Sequence, residues 1–383
     1  MPITAQDTFK PPVKPNSEGI AGANDEHEIT TGHTITGNVI DNRREELVSG
    51  HRTSEGKVFL YAGLCSIIVV IIAWYLLVAG QVDSRLPGSA WVDQTYQKKN
   101  SYAAAIQQEK VLVIAGSNAL FGINSTMLRE HLKKPVINLG VNAGLQLPLI
   151  LQLATPYIKP GDTLIMPLEY PMYHYDGDLT HVEVDYILSH QTLFDSLTPL
   201  QKIKILLHSP INRIIKGYIG LPEGYTVKGL YGPHNIDHNG DQINSELAKR
   251  TDFQTHTVLH HAPEQYGKAA LSAGESALGW RYLKEFVAKY QAQGVCILFT
   301  PPAFMFHVSY RSDSVEQAFY HSLPDQAKQQ NLNYLGSPFD FMYPAQDFFD
   351  TNYHLTSEKR AEHTQKLIEL LESDTLCKDL KSD

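Results

Sequence analysis

Residues 58–79, VFLYAGLCSIIVVIIAWYLLVA, run for 22 positions without a charge. A helix of about 20 apolar residues spans the hydrocarbon core of a bilayer. A soluble core helix of that length would carry a polar stripe, and this one carries none. A signal peptide would begin close to residue 1 and end on small residues. This segment follows 57 other residues and has no clear cleavage site. The stretch 57–80 therefore reads as a single transmembrane helix, with Trp74 and Tyr75 suited to the interfacial belt. Arg43, Arg44, Arg52 and Lys57 precede it closely; only Arg85 lies equally close after it, with Lys98 and Lys99 further on. That cation excess places the N-terminus in the cytoplasm and the bulk of the chain outside.

The span separates unlike regions. Residues 1–56 are rich in Thr, Gly, Asn, Glu and Pro and poor in aromatics. Such a segment buries too little apolar surface to offset its ordering entropy and reads as a disordered cytoplasmic tail. Residues 81–106 read as a linker leading into a helix, and a folded domain is expected over 107–375. The net charge of −9, with no block of Lys and Arg, argues against a nucleic-acid partner. Cys65, Cys296 and Cys377 are far apart, lack metal-ligand spacing and suggest no disulfide framework, so they leave the redox compartment open.

Within the domain, apolar runs alternate with helical patterns. VLVIAG (111–116), PVINLG (135–140), DTLIMPLEY (162–170) and VCILFTPP (295–302) read as strands buried on both faces. NSTMLREHL (124–132), capped by Asn124 or Ser125, reads as a helix. So do LQLPLILQLATPYI (145–158), ALGWRYLKEFVAKYQAQG (277–294) and TSEKRAEHTQKLIELLES (356–373). The alternation implies an α/β fold, a parallel sheet flanked by helices, with chemistry at the carboxyl ends of the strands. Residues 171–275 break the pattern and hold most of the histidines. They are too long for a plain loop and read as an insertion, a lid or substrate platform. Its HNIDHNGDQ stretch (234–242) matches no metal-ligand spacing and reads as a polar turn.

Three short blocks carry potential chemistry. In AGSNALFG (115–122), Ser117 follows a strand end and precedes a helix, a turn that projects a hydroxyl above a sheet. Alone, a Gly-Ser at a strand end is common and reads as no more than a helix cap. In INLGVNAGL (137–145), a backbone N–H at Gly140 or Ala143 and the amide of Asn142 can point toward the same spot. DTNYHLT (350–356) supplies Asp350 and His354, an orienting carboxylate and a base. The tyrosines of EYPMYHYD (169–176) offer either faces for sugar rings or core packing.

Taken together, GSNALFG, INLGVNAG and DTNYHLTSEKR resemble the SGNH (GDSL-like) hydrolase superfamily. Within it the chain looks most like membrane-anchored bacterial members that serve in O-acylation of exopolysaccharides and cell-wall polymers. The resemblance covers about residues 107–172 and 290–372. It implies Ser117 as nucleophile, His354 as general base and Asp350 as orienter, with Asp347 the alternative. It also implies an oxyanion hole from the Ser117 N–H and the Gly140–Ala143 turn with Asn142. Two positions depart from the family pattern. Three residues separate Asp350 from His354 where two are usual, and Glu169 stands where many members carry an oxyanion-binding Asn. Glu169, Tyr170 and Tyr173 are accordingly read as substrate-binding residues.

The implied activity is a serine acyl-ester enzyme, an O-acetyltransferase or acetylesterase acting on an extracytoplasmic polysaccharide without cofactor or metal. A donor acyl group must cross the bilayer, so the resemblance implies a multi-spanning membrane acyltransferase as partner and the bacterial inner membrane, with a periplasmic main domain, as location. The alternative is a non-catalytic polysaccharide-binding or assembly protein that kept the fold.

Overall fold

The computed structural model describes residues 42–274, 276–373 and Cys377. The chain divides into two compact units, residues 1–68 and 69–383. Of the expected tail, residues 1–41 lie outside the described residues. From Asn42 the chain is helical rather than irregular, and α1 runs Asn42–Ala79. Its segment Gly56–Ala79 is long and apolar enough to cross a membrane and is almost wholly uncovered by protein.

The larger unit is α/β. Four short strands, β1 (Val111–Val113), β2 (Val136–Asn138), β3 (Thr163–Met166) and β4 (Cys296–Phe299), pair in the order β2-β1-β3-β4. All pairings are parallel, with Leu112 opposite both Ile137 and Leu164, and Leu164 opposite Ile297. They lie where the continuous apolar runs place them, because strands covered on both faces need no polar alternation. Between them come α3 (Ser117–Gly122), α4 (Ser125–Leu132) and α5 (Gln146–Ala154). Asn124 caps α4 by accepting from the Met127 N–H. Later in the chain come α12 (Leu278–Gln291), α14 (Ser314–Gln329) and α15 (Ser357–Ser373). A second two-stranded parallel sheet joins β5 (Phe304–Met305) to β6 (Met342–Tyr343).

Two expectations about boundaries are corrected. Residues 81–106 are not a linker: α2 spans Pro87–Ala105 and buries Ser89, Val92, Tyr96, Lys99 and Ala103. Those positions recur at helical spacing, and Pro87 opens the first turn, where its missing N–H costs nothing. The 171–275 insertion has structure of its own, but it packs into the main core rather than standing apart as a lid. It forms α6 (His181–Leu188), α7 (Gln191–Ser196), α8 (Pro199–Leu207), α9 (Ile211–Ile219), α10 (Asp252–Leu259) and α11 (Tyr266–Ala273). Val184, Leu188, Phe194, Leu206 and Ile214 join the same core as the sheet strands.

The cysteines also depart from expectation. Cys296 on β4 and Cys377 form a disulfide with Cα atoms 5.9 Å apart, leaving Cys65 free and exposed. A sequence separation of 81 residues hid a pairing that only the fold creates.

Candidate active site

The strand order reverses between β1 and β3, where parallel α/β sheets open a crevice beyond their carboxyl ends. β1 leads into the Ser117 turn and β3 leads to Glu169. From Val111 to Ile123 every residue is buried except Ser117. Ser117 opens α3, and Glu169 reaches across the crevice to brace the turn around it. Its two carboxyl oxygens accept from the N–H groups of Gly116 and Asn118, each at 3.0 Å. The N–H between them, that of Ser117, is left without a protein acceptor among the described residues, as is its hydroxyl. Asn118 is held from the other side by donating to the Pro167 carbonyl at 2.8 Å.

This turn requires glycine. A Cβ on Gly116 would lie 2.5 Å from Glu169 Oε1 and 2.6 Å from Ala143 Cα. A Cβ on Gly140 would lie 2.6 Å from the Gly116 carbonyl oxygen. The two small-residue blocks, far apart in sequence, are thus in backbone contact. Their donors are not equivalent. The Gly140 N–H is already given to Asn138 Oδ1 at 2.9 Å, which removes it from the expected oxyanion set. Asn142 Oδ1 caps the short turn Ala143–Leu145 by accepting from the Gly144 N–H at 2.8 Å, leaving its amide NH2 without a protein acceptor among the described residues. Ala143 opens that turn, so its N–H has no partner inside it.

Asp350 and His354 meet as the sequence suggested. His354 Nδ1 and Asp350 Oδ1 are 2.7 Å apart. A carboxylate only accepts, so Nδ1 carries the proton, and whenever the ring is neutral Nε2 is the free base. Asp347, the alternative orienter, pairs instead with Lys359 at 3.2 Å. The three residues between Asp350 and His354 are accommodated locally: the Phe349 N–H donates to the His354 carbonyl at 2.7 Å and closes the loop. The imidazole lies flat on Phe121, with centroids 4.1 Å apart and planes 6° from parallel. Phe121 is one helical turn beyond Ser117 on α3, so the two share a face and the histidine is carried to the serine's side. Among the described residues no hydrogen bond joins Ser117 to His354; such contacts are often long before substrate binds.

The loop also has a partner that sequence reasoning missed. The Tyr231 hydroxyl donates to the second oxygen of Asp350 and stands 3.3 Å from His354 Nδ1. Its ring is wedged between Trp91 and Phe121. Burial alone would push the Asp350 carboxyl up, but the His354 charge and the hydrogen bonds from His354 and Tyr231 outweigh it and hold it below the usual range. The Tyr231 hydroxyl is raised well above its ordinary value by burial and by the adjacent Asp350 charge, so it stays a donor. Tyr231 comes from an irregular stretch with no periodicity, so nothing local marks it.

Behind the turns lies a buried polar knot. Asn138 donates to the Ala119 carbonyl at 2.7 Å and to Asp241 at 2.9 Å. Asp241 also accepts from the N–H and hydroxyl of Ser125. Lys99, fully buried, donates to the Gly140 carbonyl. The 234–242 stretch thus serves as a brace.

Two expected substrate contacts, Tyr173 and Glu169, are corrected. Tyr173 is fully buried and packs tilted against Trp280, so it offers no ring face to a sugar. Tyr170 is also buried, with its ring edge-on to Phe304 and Tyr320, but it stands in the wall of a cavity. Glu169 is buried with both oxygens engaged; burial raises its pKa, opposed by the hydrogen bonds from Asn118 and Gly116. That cavity, of about 440 Å³, lies beside these residues. It is lined by Gln146, which follows the Ala143–Leu145 turn, and by Tyr175, Asp176 and Asp178. Glu264, also in its wall, faces the Asn352 amide of the His354 loop at 3.5 Å.

In comparisons with known proteins, no family model, no curated protein and no solved structure matches this chain.

Proposed function

We propose that the chain is a membrane-anchored serine acyl-ester enzyme of SGNH-like arrangement, acting on an extracytoplasmic polysaccharide. The observation that carries this reading is the isolation of Ser117. It is the one solvent-reaching residue in a buried strand-turn-helix segment, and among the described residues its hydroxyl and N–H have no partner while the N–H groups on either side, of Gly116 and Asn118, are both held by Glu169. In the proposed reaction Ser117 Oγ attacks the ester carbonyl and its proton passes to His354 Nε2. The imidazolium then returns that proton to the departing alkoxide, leaving the acyl group, most simply acetyl, on Ser117. A sugar hydroxyl or water attacks the acyl-enzyme in turn and gives its proton to His354, which passes it to the departing Ser117 Oγ as the acyl bond breaks. Asp350 holds the tautomer and stabilises the imidazolium. The Ser117 N–H, the Ala143 N–H and the Asn142 amide are the donors free to bind the oxyanion.

The wall of Tyr175, Asp176, Asp178 and Glu264 supports a hydroxyl-rich acceptor, since carboxylates and an aromatic edge suit sugar hydroxyls. Residues 56–79 cross the bilayer in this reading, with the main domain on the side where the Cys296–Cys377 bond persists, and a multi-spanning acyltransferase supplies the acyl group. A reporter enzyme active only outside the cytoplasm, fused after Asp383, should be active.

The second reading, a non-catalytic polysaccharide-binding protein, draws on the committed Gly140 N–H and on Glu169 in place of an oxyanion-binding Asn. A serine-directed fluorophosphonate separates the two. Labelling of the wild type that vanishes in Ser117→Ala supports the enzyme; an unlabelled wild type supports the binder.

A further inference from the structure

Two helices of the larger unit expose apolar faces that none of the described residues covers. On α8, Leu200, Ile203 and Leu207 recur at helical spacing, and on α9 so do Ile211, Ile215, Tyr218 and Ile219. These seven side chains are 49–77% exposed. The opposite faces are already spent on the core, where Ile205, Leu206 and Ile214 are buried. Both helices are therefore apolar on two sides. An exposed apolar surface of this kind marks an interaction site.

What that surface faces follows from what the helices hold. The Trp74 indole N–H donates to the Leu206 carbonyl at 2.9 Å. The Tyr218 hydroxyl donates to the Leu77 carbonyl at 3.1 Å. Gln81 donates to the Ile214 carbonyl at 2.7 Å and accepts from Arg213 Nη1 at 2.5 Å. Arg213 in turn donates to the Ser84 carbonyl and pairs with Asp185. So α8 and α9 are tied by hydrogen bonds, those of Gln81 buried, to residues 74–84, where the apolar segment ends. The same turns of α1 leave Tyr75, Leu76 and Leu77 exposed. The apolar faces thus adjoin the exposed apolar surface of the last turns of α1, at Tyr75, Leu76 and Leu77.

We propose that α8 and α9 lie in the interfacial layer of the leaflet from which α1 emerges, with their exposed apolar side chains among the acyl chains. The occupant is the lipid bilayer, and the proposal rests on residues 56–79 spanning it. Trp74 and Tyr75 sit at the depth where interfacial aromatics collect. From Trp74 to Gln81 α1 and the turn after it rise roughly 10 Å, comparable to the depth at which in-plane amphipathic helices bury their apolar faces. Lys216 is exposed on α9 and Lys202 half-buried on α8, and such side chains extend to phosphate headgroups from an apolar stem.

The test uses the full chain, reconstituted alone into liposomes carrying acyl-chain nitroxide lipids, with a thiol-reactive fluorophore at one position. In a Cys65→Ser background the label is placed by Leu207→Cys, by Ile215→Cys or, as solvent control on α11, by Leu271→Cys. All three positions are exposed, so the core is undisturbed. Native Cys65, labelled in the otherwise unaltered chain, reports on the span itself. Quenching severalfold stronger at positions 207 and 215 than at 271 is the expected result. Quenching at 207 and 215 no stronger than at 271 overturns bilayer docking and leaves the face to a protein partner. Weak quenching at Cys65 refutes the span instead, whatever the other positions show.

Discussion

The Ser117 turn and the Asp350–His354 loop approach the same crevice, yet they are built in opposite ways. The turn is a backbone structure braced by a buried carboxyl: Glu169 spends both oxygens on the Gly116 and Asn118 N–H groups, and burial raises its pKa. The loop is a side-chain structure around a carboxyl held low by His354 and Tyr231. One carboxylate braces the backbone around the proposed nucleophile and is committed to shape; the other holds the proposed base and is committed to charge. The contrast teaches that proximity to Ser117 does not define a catalytic acid. The partners of its oxygens do.

The largest effects should separate the two regions outright. On a small chromogenic acetyl ester, Ser117→Ala and His354→Ala should each lower turnover by about 10³-fold or more, and the double variant should lose little beyond that. Ser117→Ala should keep its melting temperature, because its hydroxyl makes no protein contact that the fold needs. Asp350→Asn should also fall steeply in turnover, since an amide can hold the wrong tautomer of His354. Wild-type turnover in Ser117→Ala would end the comparison by removing the enzyme.

Glu169→Gln probes the other side. The new amide nitrogen must face a backbone N–H, leaving one buried donor unpaired, at a cost of about 1–3 kcal/mol in unfolding free energy. Denaturant unfolding should show that loss. A variant as stable as the wild type but inactive would reassign Glu169 from bracing to chemistry.

Tyr231→Phe removes one hydrogen bond to Asp350 and should lower turnover by about tenfold, near the net worth of one bond at about 1.4 kcal/mol. Its pH–rate profile should shift while the melting temperature changes little. A profile identical to the wild type would reduce Tyr231 to packing.

A purely pH-dependent effect lies behind the turns. Burial lowers the Lys99 ammonium to about 7, with Asp241 and Asp237 opposing it. A lysine in the unfolded chain releases its proton near ~10.4. Between those values the unfolded state binds more protons, so this group adds stability as pH rises and loses it as pH falls through the folded value. Unfolding curves for Lys99→Met should therefore gain less stability than the wild type between about pH 7 and 10. Parallel pH dependences for the two proteins would show that Lys99 does not titrate there.

By itself the sequence determined what local pattern determines. An uncharged run of bilayer length at 58–79, four doubly buried strands, the Asn124-capped helix and the pairing of Asp350 with His354 are all written within a few residues of one another. Periodicity and short-range spacing act before the chain folds, so they can be read before it folds. The helical face of α2 was equally local, but its buried Lys99 and Asp93 disguise it as polar linker. Only the tertiary structure decided what depends on distant partners. Glu169 became a brace because β1 and β3 are neighbours. Tyr170 and Tyr173 became core because α12 and α14 cover them. Cys296 met Cys377, and Tyr231 reached Asp350 across 119 residues. A side chain's role follows from where its hydrogen bonds and its burial are satisfied, and for these residues that place is set by packing between elements no sequence window contains.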